Sequence, residues 1–331
     1  MTRVEVHGFQ PFVGQHCETV ATGTLLAAAG LKLSEPMLFG LGEGLGFIFI
    51  NLSSLPLPFV GGRTKPFAVT ETLCGNLGLA CTAVETASRP KAWTALEAPL
   101  RAGQPVGLQL DCFHLEYFSR PVHFAGHFVA AYGFDDREVL LVDTAPQGSL
   151  LRTSRASLEN ARFAKGPMAA KARAWTIALR KRATALDVAT RKAIRANAKN
   201  YLTPAFKGAS HLGILKLAES LPRWLAIAKR PADDLALAAL LMERAGTGGS
   251  LFRNFYRDFL IEAREHVRGA RAKLTQAQAL FAESAQEWAA VAASIETSGR
   301  TGDAAPLREA AQRCRRVADI EVGAMRLLAG I

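Results

Sequence analysis

The chain has no long uninterrupted apolar run. A bilayer span takes about eighteen or more consecutive apolar residues. The best stretch, 37–50, is shorter and is interrupted by Glu43 and four glycines. The start carries Arg3, Glu5 and His7 and no apolar segment of signal-peptide length, so the expected location is the cytoplasm, with no membrane partner. Cysteine is scarce. Cys17, Cys74, Cys81, Cys112 and Cys314 are odd in number, scattered, and contain no CxxC pair. That speaks against a disulfide framework and against a structural zinc site. No metal is expected, and reduced thiols leave one cysteine available as a nucleophile. Internal repeats and low-complexity tracts are absent too. The run Gly40-Leu41-Gly42-Glu43-Gly44-Leu45-Gly46 lacks the spacing of a nucleotide loop, a preceding strand and a following Lys-Ser/Thr. Close backbone packing near the active site is the expectation for these glycines. Glu43 reads either as a contact for a substrate amine or as a surface carboxylate.

What is present is the composition of a globular protein, 331 residues with 49% hydrophobic and 21% charged, enough for two domains. Charge is uneven. Residues 1–150 carry 9 Lys/Arg and 13 Asp/Glu, which leaves 31 of the 40 basic and 16 of the 29 acidic residues beyond 150. A basic second half suits an acidic partner such as a carrier protein, or is simply a solvated helical surface. No zinc knuckle or recognition helix accompanies the charge, and Trp93, Trp175, Trp224 and Trp288 show no stacking periodicity, so nucleic acid is not an expected partner.

Two regions differ in pattern. Up to about residue 180, short helices alternate with β-like runs at 106–110, 127–134, 139–143 and 174–179. Beyond it, alanine, leucine and charged residues recur at helical spacing over 183–199, 211–229, 233–245, 251–270, 273–297 and 305–329. Breaks are expected at Pro204, Pro222, Pro231, the 246–250 GTGGS loop and 298–303. The reading is an α+β domain over 1–180, ending with 174–179 as a last strand of its sheet, and an all-helical domain over 181–331. Phe252, Phe255, Tyr256 and Phe259 share one helical face, as a core or an inter-domain seam would require, with a ligand stack as the alternative.

Cys17 stands at the head of a helix-like run after the Val13-Gly14 loop. Unpaired N–H groups and the positive end of the helix dipole there favour thiolate. A buried structural cysteine is the alternative. His127 opens an apolar run that an Asp-Asp-Arg-Glu turn joins to a second run ending at Asp143. A turn centred between Asp135 and Asp136 sets His127 opposite Thr144 and one residue from Asp143, subject to any bulge. An aspartate there fixes the imidazole tautomer and stabilises imidazolium. His114, His123 and His16 are rivals; His127 is preferred because it alone has a spaced aspartate on a partner strand. His123 then occupies a loop, and His16 lines the pocket.

These motifs resemble a known family. A helix-borne cysteine, a strand-opening histidine and a following aspartate resemble papain-like enzymes, and GHFVAAYGFDD…VLLVDTA resembles the bacteriocin-processing peptidase branch. HCETVATGTLLAAAGLKLSEPMLFGLGEGLGFIF resembles the N-terminal domain of the butirosin biosynthesis protein H family. The basic tail with GTGGSLFRNFYRDFLIEA is similar to the domain commonly joined to it. The resemblance implies a papain-like domain that moves an acyl group from a carrier-protein or pantetheine thioester, through acyl-Cys17, to a small amine in specialised metabolism. His127 would move the protons and Asp143 would orient it. The implied partners are an acyl carrier protein and the amine. No cofactor is implied beyond phosphopantetheine as part of the donor, and a homo-oligomer is compatible. The family-type oxyanion glutamine is displaced, with Gln10 seven residues and Gln15 two residues before the cysteine, so the Cys17 N–H is the preferred donor. Acyl transfer also needs water kept from the acyl-cysteine, which a helical domain over the cleft would do. A cysteine amidase or peptidase with the same triad is the enzyme alternative; a catalytically silent protein recruiting an acidic partner is the other.

Overall fold

The computed structural model describes residues 3–51, 55–119, 121–243 and 248–331. In chain order the elements are β1 (Val4–Glu5), α1 (Cys17–Ala28), α2 (Glu35–Leu41), β2 (Leu45–Ile50), β3 (Phe59–Arg63), α3 (Ala68–Leu77), β4 (Ala80–Val84), α4 (Arg89–Arg101), β5 (Val106–Leu110), β6 (His127–Phe134), β7 (Glu138–Val142), β8 (Leu150–Ser154), α5 (Arg155–Phe163) and β9 (Ala174–Ala178). Then follow α6 (Leu186–Leu202), α7 (Ser210–Ser220), α8 (Trp224–Ile227), α9 (Pro231–Glu243), α10 (Ser250–His266), α11 (Arg271–Thr301) and α12 (Ala305–Ala329). The protein is α+β, and no helix among the described residues is long and apolar enough to cross a membrane.

Two compact units result, one of residues 1–38 and 66–184, the other of 39–65 and 185–331. The expected boundary at 180/181 assigned 39–65 to the first domain. Instead β2 and β3 form an antiparallel hairpin whose Phe47, Phe49 and Val60 join the core of the helical unit, so that unit is not all-helical. The physical reason is apolar: the hairpin's aromatic face is buried against Ile214, Leu217 and Trp288.

The first unit is built on an antiparallel sheet in the order β4-β9-β5-β6-β7-β8, with β1 pairing the far end of β6. The run His127–Phe134 is buried almost throughout, as suits a central strand, and α1 packs against it. Leu108, Leu110, Val129, Ala131, Val139 and Leu141 share a core with Leu96 and Leu100 of α4 and Leu158 of α5. Helix α1 is buried on every side over Cys17–Leu26, which explains its lack of an amphipathic stripe. Its threonines are satisfied within and beyond the helix: Thr24 Oγ1 donates to Val20 O, and Thr22 meets Thr70.

The β6–β7 hairpin departs from the expected register. Phe134 pairs with Val139 and Gly133 with Leu140, but beyond them Ala131 pairs with Leu141 and Ala130 with Val142. Tyr132 is the extra residue of a bulge, and its carbonyl accepts from Val6 N at 2.8 Å. The consequence is one of faces. Extending the ladder by a step sets Asp143 beside Val129, and His127, two residues before Val129, shares that face. Without the bulge the two would be offset by an odd number and point to opposite sides.

In the second unit α11 and α12 are joined by a short turn at Gly302, whose φ of 73° suits a residue without Cβ. Helix α11 runs on to Thr301, so the break expected to begin at 298 begins four residues later. Residues 244–247, which end the expected 233–245 helix and begin the 246–250 loop, lie outside the described residues. Phe252, Phe255, Tyr256 and Phe259 are all buried within this unit, with Phe252 stacked on Phe39 and Tyr256 edge-on to Phe281. The glycine run is packed as closely as expected, but within this unit: a Cβ on Gly40 would lie 2.1 Å from the Phe259 ring.

One buried charge organises the helices. Glu321 accepts from Arg253 Nε at 2.7 Å and Nη2 at 2.9 Å, from Ser284 Oγ at 2.6 Å, from Trp288 Nε1 at 3.1 Å and from Tyr201 Oη. Arg253 Nη1 also donates to Gly62 O at 3.0 Å, which ties the β3 hairpin to α10 and α12. Removing one member of a fully buried ion pair strands the other. Arg253→Ala is therefore expected to lower stability by about 3–5 kcal/mol, read from urea denaturation of the full chain by helical circular dichroism.

Candidate active site

Cys17 is the first residue of α1 and is 8% exposed. The segment before it is held by Glu35, the first residue of α2, whose carboxylate accepts from Gln15 N at 2.9 Å, His16 N at 2.9 Å and Thr19 Oγ1 at 2.8 Å. Gly14 has to be small here, since a Cβ would lie 2.7 Å from Glu35 Oε1. Burial pushes the Glu35 carboxyl above the usual carboxylate range, with the three hydrogen bonds working against that shift. Glu18, next to the cysteine, is fully buried and turns the other way, accepting from Phe67 N, Thr70 N and Thr70 Oγ1 to cap α3.

His127 Nε2 lies 2.8 Å from Asp143 Oδ2. A carboxylate only accepts, so Nε2 donates. The Cys17 thiol lies near enough to the ring to act on its charge, and with Nε2 given to Asp143, Nδ1 is the nitrogen left to exchange a proton with sulfur. Burial disfavours the charged ring, but Asp143 first and Cys17 next outweigh it and hold the His127 pKa well above the ordinary histidine range. Asp143 has no exposed surface. Its Oδ2 also accepts from Tyr117 Oη at 2.8 Å and its Oδ1 from Thr144 N at 2.6 Å. Burial, then the charge of Asp143, keeps Tyr117 a phenol. Phe118 meets the His127 ring edge-on at 5.5 Å. Burial pushes the Cys112 thiol up, with His127 acting against that shift and Cys17 and Asp143 adding to it.

The structure thus brings Cys17, His127 and Asp143 together. Of the remaining sequence candidates, His16 is buried before α1 with Nδ1 3.3 Å from Thr19 Oγ1. Gln15 is exposed and joins the arrangement through its backbone N–H, while Gln10 is an exposed residue of the preceding segment. Glu43 belongs to the other unit, in a left-handed turn after α2 (φ 50°), where Asn200 Nδ2 donates to it at 3.5 Å. Sequence reasoning missed Glu35 and Tyr117. A first-turn acid is a generic helix signal, and no periodicity distinguishes a tyrosine in an irregular segment.

Fold and site together define an α+β protein in which a helix-opening cysteine meets a strand-borne histidine and a buried aspartate. The chain belongs to the butirosin biosynthesis protein H-like family. Residues 16–144 match the description "Butirosin biosynthesis protein H, N-terminal", and residues 156–328 match a domain of unknown function, DUF4872. No curated protein matches it. The second match begins before the second compact unit does: α5 and β9 fall inside it, yet β9 is an inner strand of the first unit's sheet.

Two measurements probe these contacts. Asp143→Asn is expected to move the His127 titration down toward the ordinary histidine value, read by proton–nitrogen NMR of the imidazoles. An unmoved titration would show that Asp143 does not hold the proton. The sign also sets a stability trend. A raised histidine pKa favours the folded state below the unfolded value, and that contribution is lost as pH rises through the folded one. Glu35→Gln leaves one acceptor oxygen for three donors, and alkylation of Cys17 by iodoacetamide is expected to slow about tenfold at unchanged helix content.

Proposed function

We propose that this protein is a papain-like cysteine acyltransferase that moves an acyl group from a carrier-protein or pantetheine thioester to a small amine in specialised metabolism. The observation that carries the reading is the buried His127–Asp143 hydrogen bond of 2.8 Å, with the Cys17 thiol at the head of α1 near enough to act on the imidazole. The family description names butirosin biosynthesis, which supports a biosynthetic enzyme.

In this reading the Cys17 thiolate attacks the thioester carbonyl, and the oxyanion is met by the Cys17 N–H at the positive end of α1. The donor's C–S bond breaks, and its thiolate leaves with the proton carried by His127. Acyl-Cys17 then receives the amine, whose proton passes to His127 Nδ1 as the carbonyl re-forms and Cys17 departs. Asp143 keeps Nε2 protonated throughout, and Tyr117 and Thr144 keep Asp143 in place. The Gln15 and His16 N–H groups serve Glu35 rather than the oxyanion. Exchange between two thioesters is nearly isoenergetic, so the enzyme's task is to favour the amine over water.

An acidic carrier also suits the second unit. A groove of about 920 Å³ there is lined by Arg191, Lys192, Arg195 and Lys199 of α6 with Arg268, against the acids Asp187 and Glu265. Attraction of this kind steers encounter and weakens with salt.

Intact-protein mass spectrometry with a panel of acyl-pantetheine thioesters tests the proposal. Wild type is expected to gain one acyl group that Cys17→Ala does not, and added amines are expected to discharge it faster than water. Discharge by water alone would replace the transferase reading with a hydrolase. A Cys17→Ala variant that still acylates would overturn the assignment of the nucleophile.

A further inference from the structure

Next to Cys17 and His127, the first unit brings together a second set of chemically competent side chains that the acyl-transfer reading leaves unused. Asp111 follows β5 and caps the 3-10 turn Cys112–His114, and His123 returns from the far end of the segment that begins there. Asp111 is 2% exposed. Its Oδ1 accepts from Phe113 N at 3.1 Å and Phe124 N at 2.8 Å, which fixes the carboxylate plane. Its Oδ2 lies 2.9 Å from His123 Nδ1. His114 completes the set, and one donor atom from each of the three residues lies within 4.8 Å of the others. The Phe113 ring stacks on His123 at 3.8 Å. A simple aspartate–histidine hydrogen bond would employ two of these residues; one cation would employ all three.

We propose that Asp111, His114 and His123 form a binding site for a divalent transition metal, with Zn²⁺ the best-matched ion. Two imidazoles and one carboxylate are a donor set that borderline-soft divalent ions take, with open positions left for water. Bonds of about 2.0–2.1 Å to Asp111 Oδ2 and His123 Nδ1 subtend roughly a right angle at the 2.9 Å separation found. The three donor atoms all lie within 4.8 Å of one another, against the roughly 4.2 Å that two such bonds can span, so a ring swing on the order of an ångström is the most that closing the set requires. The His123 side chain is 66% exposed and has room to do so, and that exposure is also the entry path. The two backbone N–H bonds to Oδ1 supply the outer support that metal-ligating carboxylates ordinarily have.

The position gives the ion a consequence. The segment between His114 and His123 carries Tyr117, which donates to Asp143, and Phe118, which packs on His127. An ion holding both ends of that segment would restrict the loop that orders the His127–Asp143 pair.

The test is calorimetric titration of the EDTA-treated, dialysed full chain with ZnCl₂, in wild type and in His123→Ala, His114→Ala and Cys17→Ala, with folding checked by circular dichroism. The expected result is one Zn²⁺ per chain, weakened at least about tenfold by either histidine substitution and unchanged in Cys17→Ala. Absence of binding in wild type would overturn the proposal. So would binding that His123→Ala leaves intact, or binding that Cys17→Ala abolishes, since the ion would then sit on the nucleophile. His123→Ala decides the matter should His114→Ala fail to fold, because the His123 ring is largely solvent-exposed.

Discussion

A carboxylate with no exposed surface has to be compensated on every side, and Asp143 is such a group. Its donors come from three places: His127 at the head of β6, Tyr117 in the segment after β5, and the N–H of Thr144 beside it. Leaving any of them out would strand charge in a medium that solvates it poorly. The need to satisfy Asp143 therefore fixes the His127 ring, the position of Tyr117 after β5 and the exit from β7 together. Cys17 enters that arrangement from α1, and Glu35 sets the approach to it.

The second unit meets the same problem with a different outcome. Glu321 is also fully buried, but a guanidinium neutralises it, and Tyr201, Ser284 and Trp288 take up its remaining acceptor capacity. Burial opposes its ionisation, yet Arg253 and the hydrogen bonds hold its pKa below the usual value. Arginine does not give up a proton in the working range, so this network is a fixed joint between helices and the β2–β3 hairpin. Asp143 instead faces an imidazole and a phenol. Unlike a guanidinium, an imidazole can give up its proton, and Asp143 and Cys17 act against burial to raise the pH at which His127 does so.

Much of this was legible from composition and pattern. The apolar run His127–Phe134, the Asp-Asp-Arg-Glu turn and the helical periodicity beyond residue 180 each act through neighbours a few residues away, and the strands and helices fall close to where those signals put them. The placing of Cys17 and His127 was legible for the same reason, as a residue that opens a helix and a residue that opens a strand. Glu35 and Tyr117 were not. Each matters through a partner about twenty or more residues away, and nothing local marks it. The 39–65 segment was misassigned because a short apolar hairpin carries no label for the core it will enter.

The sequence by itself determined the classes of element, the basic helical second half and the residue types from which a nucleophile, a base and an orienting acid could be drawn. It did not determine that His127 and Asp143 face each other. The expected register offsets them by one residue, on opposite sides of the sheet, and the bulge at Tyr132 restores the common face. That bulge is bound through its carbonyl to Val6, over a hundred residues earlier in the chain. A one-residue shift reverses every side chain along a strand at almost no local cost, so only the assembled sheet could decide which of the two faces carries the site.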